Sequence, residues 1–341
     1  MAEGSGRQTL VLGGTSWLGG EVARQANERG HEVTCLARGE SGSAPDGVRW
    51  VRADRWQEDA YAEVEQQQWD AVVDVSRQPV QVRSALAALA SSTAHWVFVS
   101  TGNVYAEDTT PGQDESASLH DPWAGDGEAG TEDYGPAKVA CEEACRAAVA
   151  PDRLLLARVG LIGGYGDLSD RFGYWPGRLA RARDNEPVLV PPLDTQVGVI
   201  DVVDLASWLV DATENATAGA FNAVGDTLPL SEILNECARA AGVEPGFVEV
   251  DQDWLVRHEV APWSGEESLP LWLPLPEYAG FMTRTSDAAR SHGLHPRPLA
   301  ETIADSLAWE RELGLGRQRK AGLTPAREKA LLADLALDRR H

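Results

Sequence analysis

The sequence predicts an α/β protein in which a doubly wound parallel sheet is joined to a smaller C-terminal lobe. Apolar runs rich in Val and Leu alternate with helical patterns through the first half of the chain. These runs contain few alternating polar residues, as expected of strands that are covered on both faces. A glycine-rich turn at Gly13–Gly20 separates the first apolar run from the first helical pattern. This order of elements is typical of a dinucleotide-binding fold.

The individual elements follow in chain order. Strands are predicted at Thr9–Gly13, Glu32–Ala37, Val48–Arg52, Ala71–Val75, Trp96–Ser100 and Leu154–Val159. Helices are predicted at Leu18–Arg29, Trp56–Gln67, Val80–Ala90 and Ala137–Ala148, and later near Val203–Thr213, Ser231–Ala241 and Leu299–Leu313. We therefore predict a Rossmann domain over 1–160, a mainly substrate-binding lobe with interleaved Rossmann elements over 161–315, and a helical tail over 316–341.

Composition and charge narrow the class of protein. With 341 residues, of which 43% are hydrophobic, the chain can bury a large core. The net charge of -23 disfavours nucleic acid as a partner, because a protein this acidic repels phosphates. No apolar run reaches the ~18 residues of a membrane span, and the N-terminus lacks an apolar signal core, so we expect a cytoplasmic protein. The four cysteines follow neither a disulfide framework nor zinc spacing, so no metal site is predicted.

The glycine-rich turn has the residues needed to approach a pyrophosphate. Gly13 permits a tight exit from the first strand, and Gly19 allows the helix to pack closely on the sheet. Amides at the helix N-terminus, together with the helix dipole, attract the anion. Ser16 stands where a middle glycine is usual, and its hydroxyl could donate to a phosphate oxygen. The predicted cofactor contacts in this turn are Gly13, Thr15, Ser16, Trp17, Leu18 and Gly19.

The end of the second strand indicates which nicotinamide cofactor is bound. NAD-specific folds place an acidic residue there to accept hydrogen bonds from the ribose 2′-hydroxyl. This chain has Ala37 at that position, followed by Arg38, whose guanidinium suits a 2′-phosphate. We therefore predict NADP(H) in preference to NAD(H).

Tyr134 and Lys138 form a pair suited to proton transfer. Their spacing places a phenol and an ammonium on one face of a helix, where the cation favours the phenolate. Pro136 lies between them and is tolerated only in the first turn of a helix. The helix is therefore predicted to begin within about two residues of Asp133, with Thr131, Glu132 and Asp133 as capping candidates.

Three segments in this order resemble the extended and atypical short-chain dehydrogenase/reductases, also called the NAD-dependent epimerase/dehydratase family. They are the glycine-rich turn, Ser100–Tyr105 and Tyr134–Lys138, and the resemblance extends from about Thr9 to about Trp309. It implies that Thr101 holds the substrate oxygen, that Tyr134 exchanges the proton, and that Lys138 stabilises the tyrosinate and binds the nicotinamide ribose. It also implies an adenine contact at Asp54, cofactor contacts at Val75 and Ser76, and a homodimer.

The resemblance weakens where the substrate is recognised. Members that act on nucleotide sugars usually have an Asn and a Pro in the segment after the sixth strand, and this chain has Leu161 and Tyr165 there. A nucleotide-sugar substrate is therefore disfavoured. The acidic segment Ala106–Asp133 is predicted to be a surface loop and a lid, which favours a neutral or cationic small molecule. Candidate pocket aromatics lie within Asp170–Arg178 and at Trp254, Trp263, Trp272, Tyr278 and Phe281.

Three functions are compatible with these observations. The first is an NADPH-dependent reductase or dehydrogenase that acts on a carbonyl or hydroxyl group of a small molecule. The second is an NAD(P)-dependent epimerase or dehydratase, for instance of a sugar, that keeps its cofactor bound. The third is a non-catalytic nucleotide-binding relative, which the presence of Thr101, Tyr134 and Lys138 disfavours. Net consumption of NADPH would distinguish the first function from the second.

Overall fold

The computed structural model describes residues 6–339, and its main feature is a seven-stranded parallel sheet. The strands of the chain are β1 Gln8–Leu12, β2 Glu32–Ala37, β3 Arg49–Arg52, β4 Trp69–Asp74, β5 Thr93–Thr101, β6 Leu154–Val159, β7 Leu161–Gly163, β8 Pro187–Val190, β9 Gln196–Asp201, β10 Gly219–Ala223, β11 Thr227–Pro229, β12 Gly246–Glu249, β13 Ala261–Pro262 and β14 Ser268–Leu269. The main sheet has the order β10-β6-β5-β4-β1-β2-β3, and every neighbouring pair is parallel. The predicted fold class is confirmed.

Helices cover both faces of this sheet. The helices are α1 Trp17–Glu28, α2 Pro79–Leu89, α3 Tyr134–Ala148, α4 Tyr174–Leu179, α5 Val202–Asn215, α6 Leu230–Ala241, α7 Gln252–Arg257, α8 Asp287–Ser291, α9 Leu299–Leu313 and α10 Pro325–Asp338. One apolar core lies under α1 and α5, and a second lies under α2 and α3. None of these helices is both long and apolar enough to cross a membrane.

The order of the strands creates a crevice at one edge of the sheet. The chain runs outward from β1 through β2 to β3, and then returns to place β4 on the other side of β1. Loops that leave β1 and β4 therefore diverge, and in open α/β sheets ligands bind outside the carboxyl ends of the strands at such a point. The glycine-rich turn after β1 lies at this crevice.

The helix predicted over Trp56–Gln67 is wrong. The segment forms consecutive turns, and most of its backbone hydrogen bonds join residues three apart, such as Ala60 to Gln57. Its buried side chains, Ala60, Tyr61 and Val64, span little more than one helical turn. A longer helix would add no further apolar face, so turns suffice to cover the edge of the sheet.

The second lobe has its own core, around Trp175, Trp254 and Trp272. A three-stranded sheet of β11, β9 and β7 and a parallel pair of β8 and β12 belong to the lobe, with α4, α6, α9 and α10 packed around them. The helix α10 lies within the predicted tail, and its Glu328 pairs with Arg178 at 2.7 Å. The two last residues of that tail and the first five of the predicted domain lie outside the described residues.

Candidate active site

Two connected cavities lie at the crevice. The smaller one, here called the trough, has a volume of about 390 Å³ and runs from the glycine-rich turn to the end of β2. The larger one, here called the main cavity, has a volume of about 610 Å³ and lies between the sheet edge and the second lobe. Ser16, Val75 and Arg77 line both, so the two cavities adjoin each other. An elongated ligand such as a dinucleotide could occupy both.

The turn after β1 fits the approach of a pyrophosphate. Gly13 has φ +90°, and a Cβ there would lie 2.6 Å from the side chain of Val75. The hydroxyl of Ser16 caps α1, accepting from the Gly19 amide at 3.3 Å and donating to the Gly13 carbonyl at 2.7 Å. Its proton is therefore used within the turn, contrary to the expectation that it donates to phosphate. The leading amides of α1, which have no partners within the helix, are the donors left for an anion.

Arg38 lies on the wall of the trough, directly after Ala37 at the end of β2. Its guanidinium is half-exposed and pairs with Glu40 at 2.9 Å. An exposed pair of this kind is worth only about 0–1 kcal/mol, so a phosphate can replace the carboxylate at little cost. Asp54 lines neither cavity, and its carboxylate accepts from the Trp56 amide at 3.1 Å. Of the remaining predicted contacts, Thr15 and Ser76 line the trough, and Trp17 and Leu18 line the main cavity.

The three predicted reaction residues all line the main cavity. Thr101 ends β5, and its hydroxyl donates to Asn103 Oδ1 at 3.0 Å. Tyr134 is the first residue of α3 and is 36% exposed. The start of this helix agrees with the prediction made from Pro136, although the side chain of Asp133 makes no capping bond. The cavity thus contains a hydroxyl, a phenol and an ammonium.

Lys138 is buried beside the phenol and is held by the backbone. Its Nζ donates to the carbonyl oxygens of Ser76 at 2.7 Å and Val99 at 2.5 Å, and it lies 4.2 Å from the ring centroid of Phe98. Within residues 6–339 no carboxylate approaches it within 4 Å. Because an ammonium has three protons, one remains for a ligand or for the phenol.

A buried ion pair supports the floor of the cavity. Arg158, which lines the cavity, donates to both carboxylate oxygens of Glu142 on α3, at 3.0 and 2.9 Å. Both side chains are almost fully buried. Burial alone would raise the pKa of Glu142, but the hydrogen-bonded guanidinium outweighs it and lowers the pKa. The pair ties the helix that bears Tyr134 to β6.

The segment 106–133 is not a lid over this cavity. None of its residues lines the cavity, and it contains no helix or strand, as its composition predicts. Instead, the segment is fastened to the second lobe by Arg284, which donates to the Glu107 carbonyl and to Asp108. Glu115 accepts from the Asn222 amide at 2.7 Å. The carboxylates of Asp108 and Glu115 therefore fasten the segment to the rest of the fold.

The candidate aromatic residues divide between the core and the cavity. Trp254 and Trp272 are buried in the core of the second lobe, whereas Trp263 and Phe281 line the main cavity. The rings of this second pair meet edge to face, with centroids 5.4 Å apart. Tyr278 is exposed and lies outside the cavity wall.

Sequence reasoning did not single out several charged residues of this site, among them Arg77, Asp167 and Arg171. Each follows a strand or lies in a loop, where neither helical nor strand periodicity marks a side chain as functional. For Arg77 the available signal was its position after β4, because residues at the carboxyl ends of parallel strands gather at one edge of the sheet. Asp167 and Arg171 follow β7, which belongs to the separate three-stranded sheet.

The fold and the two cavities define the class: an α/β protein with cavities at the carboxyl edge of a parallel sheet, where folds of this kind bind dinucleotides. The profile of the NAD dependent epimerase/dehydratase family matches residues 9–223, more than half of the 341 residues, and the chain belongs to that family. Members of this family are NAD(P)-dependent enzymes of the epimerase and reductase class.

Three individual proteins that resemble this chain are each less than 30% identical to it. The chain is 29% identical over 259 residues to the 2′-dehydrokanamycin reductase of Streptomyces kanamyceticus, covering 72% of this chain and 70% of the relative. Among solved structures, a Burkholderia cenocepacia J2315 protein assigned as an epimerase has a TM-score of 0.69 at 22% identity, over 91% of this chain and 100% of that one. A UDP-glucose 4-epimerase has a TM-score of 0.66 at 15% identity, over 92% and 100%. These structural similarities concern the fold alone.

Proposed function

We propose that the protein is an NADP(H)-dependent reductase or dehydrogenase that acts on a carbonyl or hydroxyl group of a small molecule. The observation that supports this most is the presence of Thr101, Tyr134 and Lys138 on one cavity that adjoins a trough with the features of a dinucleotide site. The cofactor, when bound, supplies or accepts the hydride. Everything else required by the reaction concerns the position of the substrate and the path of one proton.

Thr101, Tyr134 and Lys138 have separate roles in this reaction. The Thr101 hydroxyl turns from Asn103 Oδ1 to hold the substrate oxygen, and the phenol of Tyr134 gives that oxygen its proton as the carbonyl becomes an alcohol. Lys138 stabilises the resulting phenolate, and its remaining proton is free for the cofactor ribose. In the oxidative direction the same groups take the proton back. The second lobe covers the cavity with Trp263 and Phe281.

Two observations favour net reduction over epimerisation. The relative identified by sequence is a reductase, and Leu161 replaces the Asn that nucleotide-sugar enzymes of this family usually have. The alternative, an epimerase with retained cofactor, is favoured by the family match and predicts no net consumption of NADPH.

The test is a measurement of NADPH consumption with carbonyl substrates, including 2′-dehydrokanamycin, the compound in the relative's name. Stoichiometric conversion of NADPH to NADP⁺ with formation of an alcohol is the expected result. Product formation without any change in NADPH, together with tightly bound cofactor released only on denaturation, would establish the epimerase alternative. Failure to bind either nucleotide would refute both.

Arg38→Ala is expected to weaken NADPH binding at least tenfold and to leave NADH binding almost unchanged. The lost interaction is a charge-assisted hydrogen bond to the 2′-phosphate, typically about 1.5–3 kcal/mol, and ~1.4 kcal/mol corresponds to a factor of ten. Quenching of tryptophan fluorescence measures both affinities. Arg49→Ala is the matched control, since Arg49 is similarly exposed but lies outside the trough. Equal losses for both nucleotides, or none, would reject NADP(H) selection by Arg38.

A further inference from the structure

Two opposite charges on one loop of the main cavity have no charged partner. Arg171 lies over Trp263, with its guanidinium 5.3 Å from the ring centroid, and its Nε donates to Ser169 Oγ at 3.3 Å. The two terminal nitrogens of Arg171 make no hydrogen bond within the described part of the chain. Asp167 is 4% exposed, and among residues 6–339 its carboxylate accepts only from Ser169, from the amide at 2.7 Å and the hydroxyl at 2.9 Å.

The two charges do not touch, and the Ser169 hydroxyl bridges them, donating to Asp167 and accepting from Arg171. No ion pair within 4 Å joins them, or joins either of them to another residue between 6 and 339. Burial raises the pKa of Asp167 and lowers the pKa of Arg171, and in both cases the charge of the other residue partly opposes the shift. Desolvated charges without partners cost free energy, and they concentrate at sites that bind ligands.

Two other charges on the wall of this cavity are held in ion pairs. Arg158 is paired with Glu142, and Arg284 is paired with Asp108 at 2.8 Å. Arg77 lies where the cavity joins the trough, on the side of the expected cofactor. Besides Lys138 at the reaction residues, a substrate that enters from the second lobe therefore meets the charges of Asp167 and Arg171, which no ion pair with residues 6–339 neutralises.

The loop that bears both charges is fixed from two sides. The indole of Trp17, in the glycine-rich turn, donates to the Tyr165 carbonyl at 2.7 Å. The indole of Trp309, on α9, donates to the Asp167 carbonyl at 2.9 Å. The Lys320 amide adds a hydrogen bond to the Asp170 carboxylate at 2.7 Å. Asp167 and Arg171 are therefore held at set positions before any ligand arrives, which reduces the entropy cost of binding.

We propose that Asp167 and Arg171 form a dipolar subsite that selects a keto or hydroxy compound bearing a protonated amine. The ammonium group binds Asp167, and an oxygen of the same molecule accepts from the guanidinium of Arg171. This inference rests on the proposed function, because the subsite lies beside the phenol that exchanges the proton. A substrate of this kind neutralises both charges at once, whereas a purely anionic or a purely neutral one leaves Asp167 unpaired.

The test compares molecules that differ only in the amine. The probes are glucosamine against glucose, and trans-2-aminocyclohexanol against trans-1,2-cyclohexanediol, titrated by ligand-observed NMR into the protein saturated with NADPH. We expect the amine of each pair to bind at least tenfold more tightly. Asp167→Asn should abolish this preference while preserving the fold, because the Asn side-chain oxygen can still accept from the Ser169 amide. Equal binding within the pairs, no binding of any probe, or a preference that survives in Asp167→Asn would overturn the proposal.

Two further variants make the test specific. Asp133→Asn removes a negative charge next to Tyr134 but outside the cavity wall, and it should leave the amine preference intact. Arg171→Gln should weaken both members of each pair by a similar factor, and an unchanged affinity would refute the role of Arg171. The NADPH titration of the wild type distinguishes failure of the subsite from failure of the proposed function. If NADPH binds and is consumed but amines are not preferred, only the subsite fails; if NADPH does not bind, the proposed function fails.

Discussion

Replacing Tyr134 by Phe is expected to lower turnover by about 10²–10⁴, the factor typical of a general acid. The substitution removes only the hydroxyl from a side chain that is 36% exposed at the start of α3, so the fold has no reason to change. NADPH affinity should stay within about twofold, since no cofactor contact is assigned to the phenol. Steady-state assays and fluorescence titrations on the same preparations measure the two quantities separately.

Two variants serve as comparisons. Tyr278→Phe removes a hydroxyl from an exposed tyrosine outside the cavity, and it should leave turnover unchanged. Lys138→Met should lower turnover and also weaken NADPH binding, because Lys138 is assigned both the phenolate and the ribose. Near-normal turnover in Tyr134→Phe would contradict the assigned proton transfer and favour a non-catalytic nucleotide-binding protein.

The second large effect concerns stability. Glu142→Gln is expected to lower the free energy of unfolding by about 3–5 kcal/mol, because it leaves the buried guanidinium of Arg158 without a counter-charge. Urea unfolding, followed by fluorescence and circular dichroism, measures the difference. Arg146→Ala is the control: Arg146 also pairs with Glu142, at 3.1 Å, but it is 44% exposed, so its loss should cost less than about 1 kcal/mol.

The same pair predicts a dependence on pH. The pKa of Glu142 is lowered in the folded protein below its usual value of 4.5, so the carboxylate stabilises the fold fully above pH 4.5. This stabilisation is lost as the pH falls through the lower pKa of the folded state. The difference in unfolding free energy between wild type and Glu142→Gln should therefore be largest near neutral pH and shrink below pH 4.5. A difference that is constant down to pH 3 would contradict the ion pair as its cause.

The parts of the fold that the sequence predicted correctly are those with a local cause. The strands β2 and β6 are continuous apolar runs, and their observed bounds agree with the prediction. The start of α3 follows from the constraint that Pro136 places on helix geometry. The strand β10 was not predicted, because its sequence Gly-Ala-Phe-Asn-Ala has no apolar run and its place in the sheet depends on pairing with β6.

Among the site residues, too, those predicted from the sequence are those with a local cause. Tyr134 and Lys138 were predicted because their spacing alone places them on one helix face. Asp167 and Arg171 were missed because their significance lies in the absence of partners, which is a property of the tertiary structure. The lid interpretation of 106–133 was wrong for a related reason: Asp108 and Glu115 of that loop bond to Arg284 and to the Asn222 amide, far away in sequence.

The central claim is that the trough and the main cavity hold NADP(H) with its nicotinamide beside Tyr134 and Thr101. A crystal structure of the protein with NADP⁺ tests it most directly. We expect the pyrophosphate against the leading amides of α1, the 2′-phosphate on Arg38, and the nicotinamide ring facing Thr101 and Tyr134, with Lys138 on the ribose. A nucleotide bound with its nicotinamide outside the main cavity, or a trough that stays empty at saturating NADP⁺, would contradict the claim.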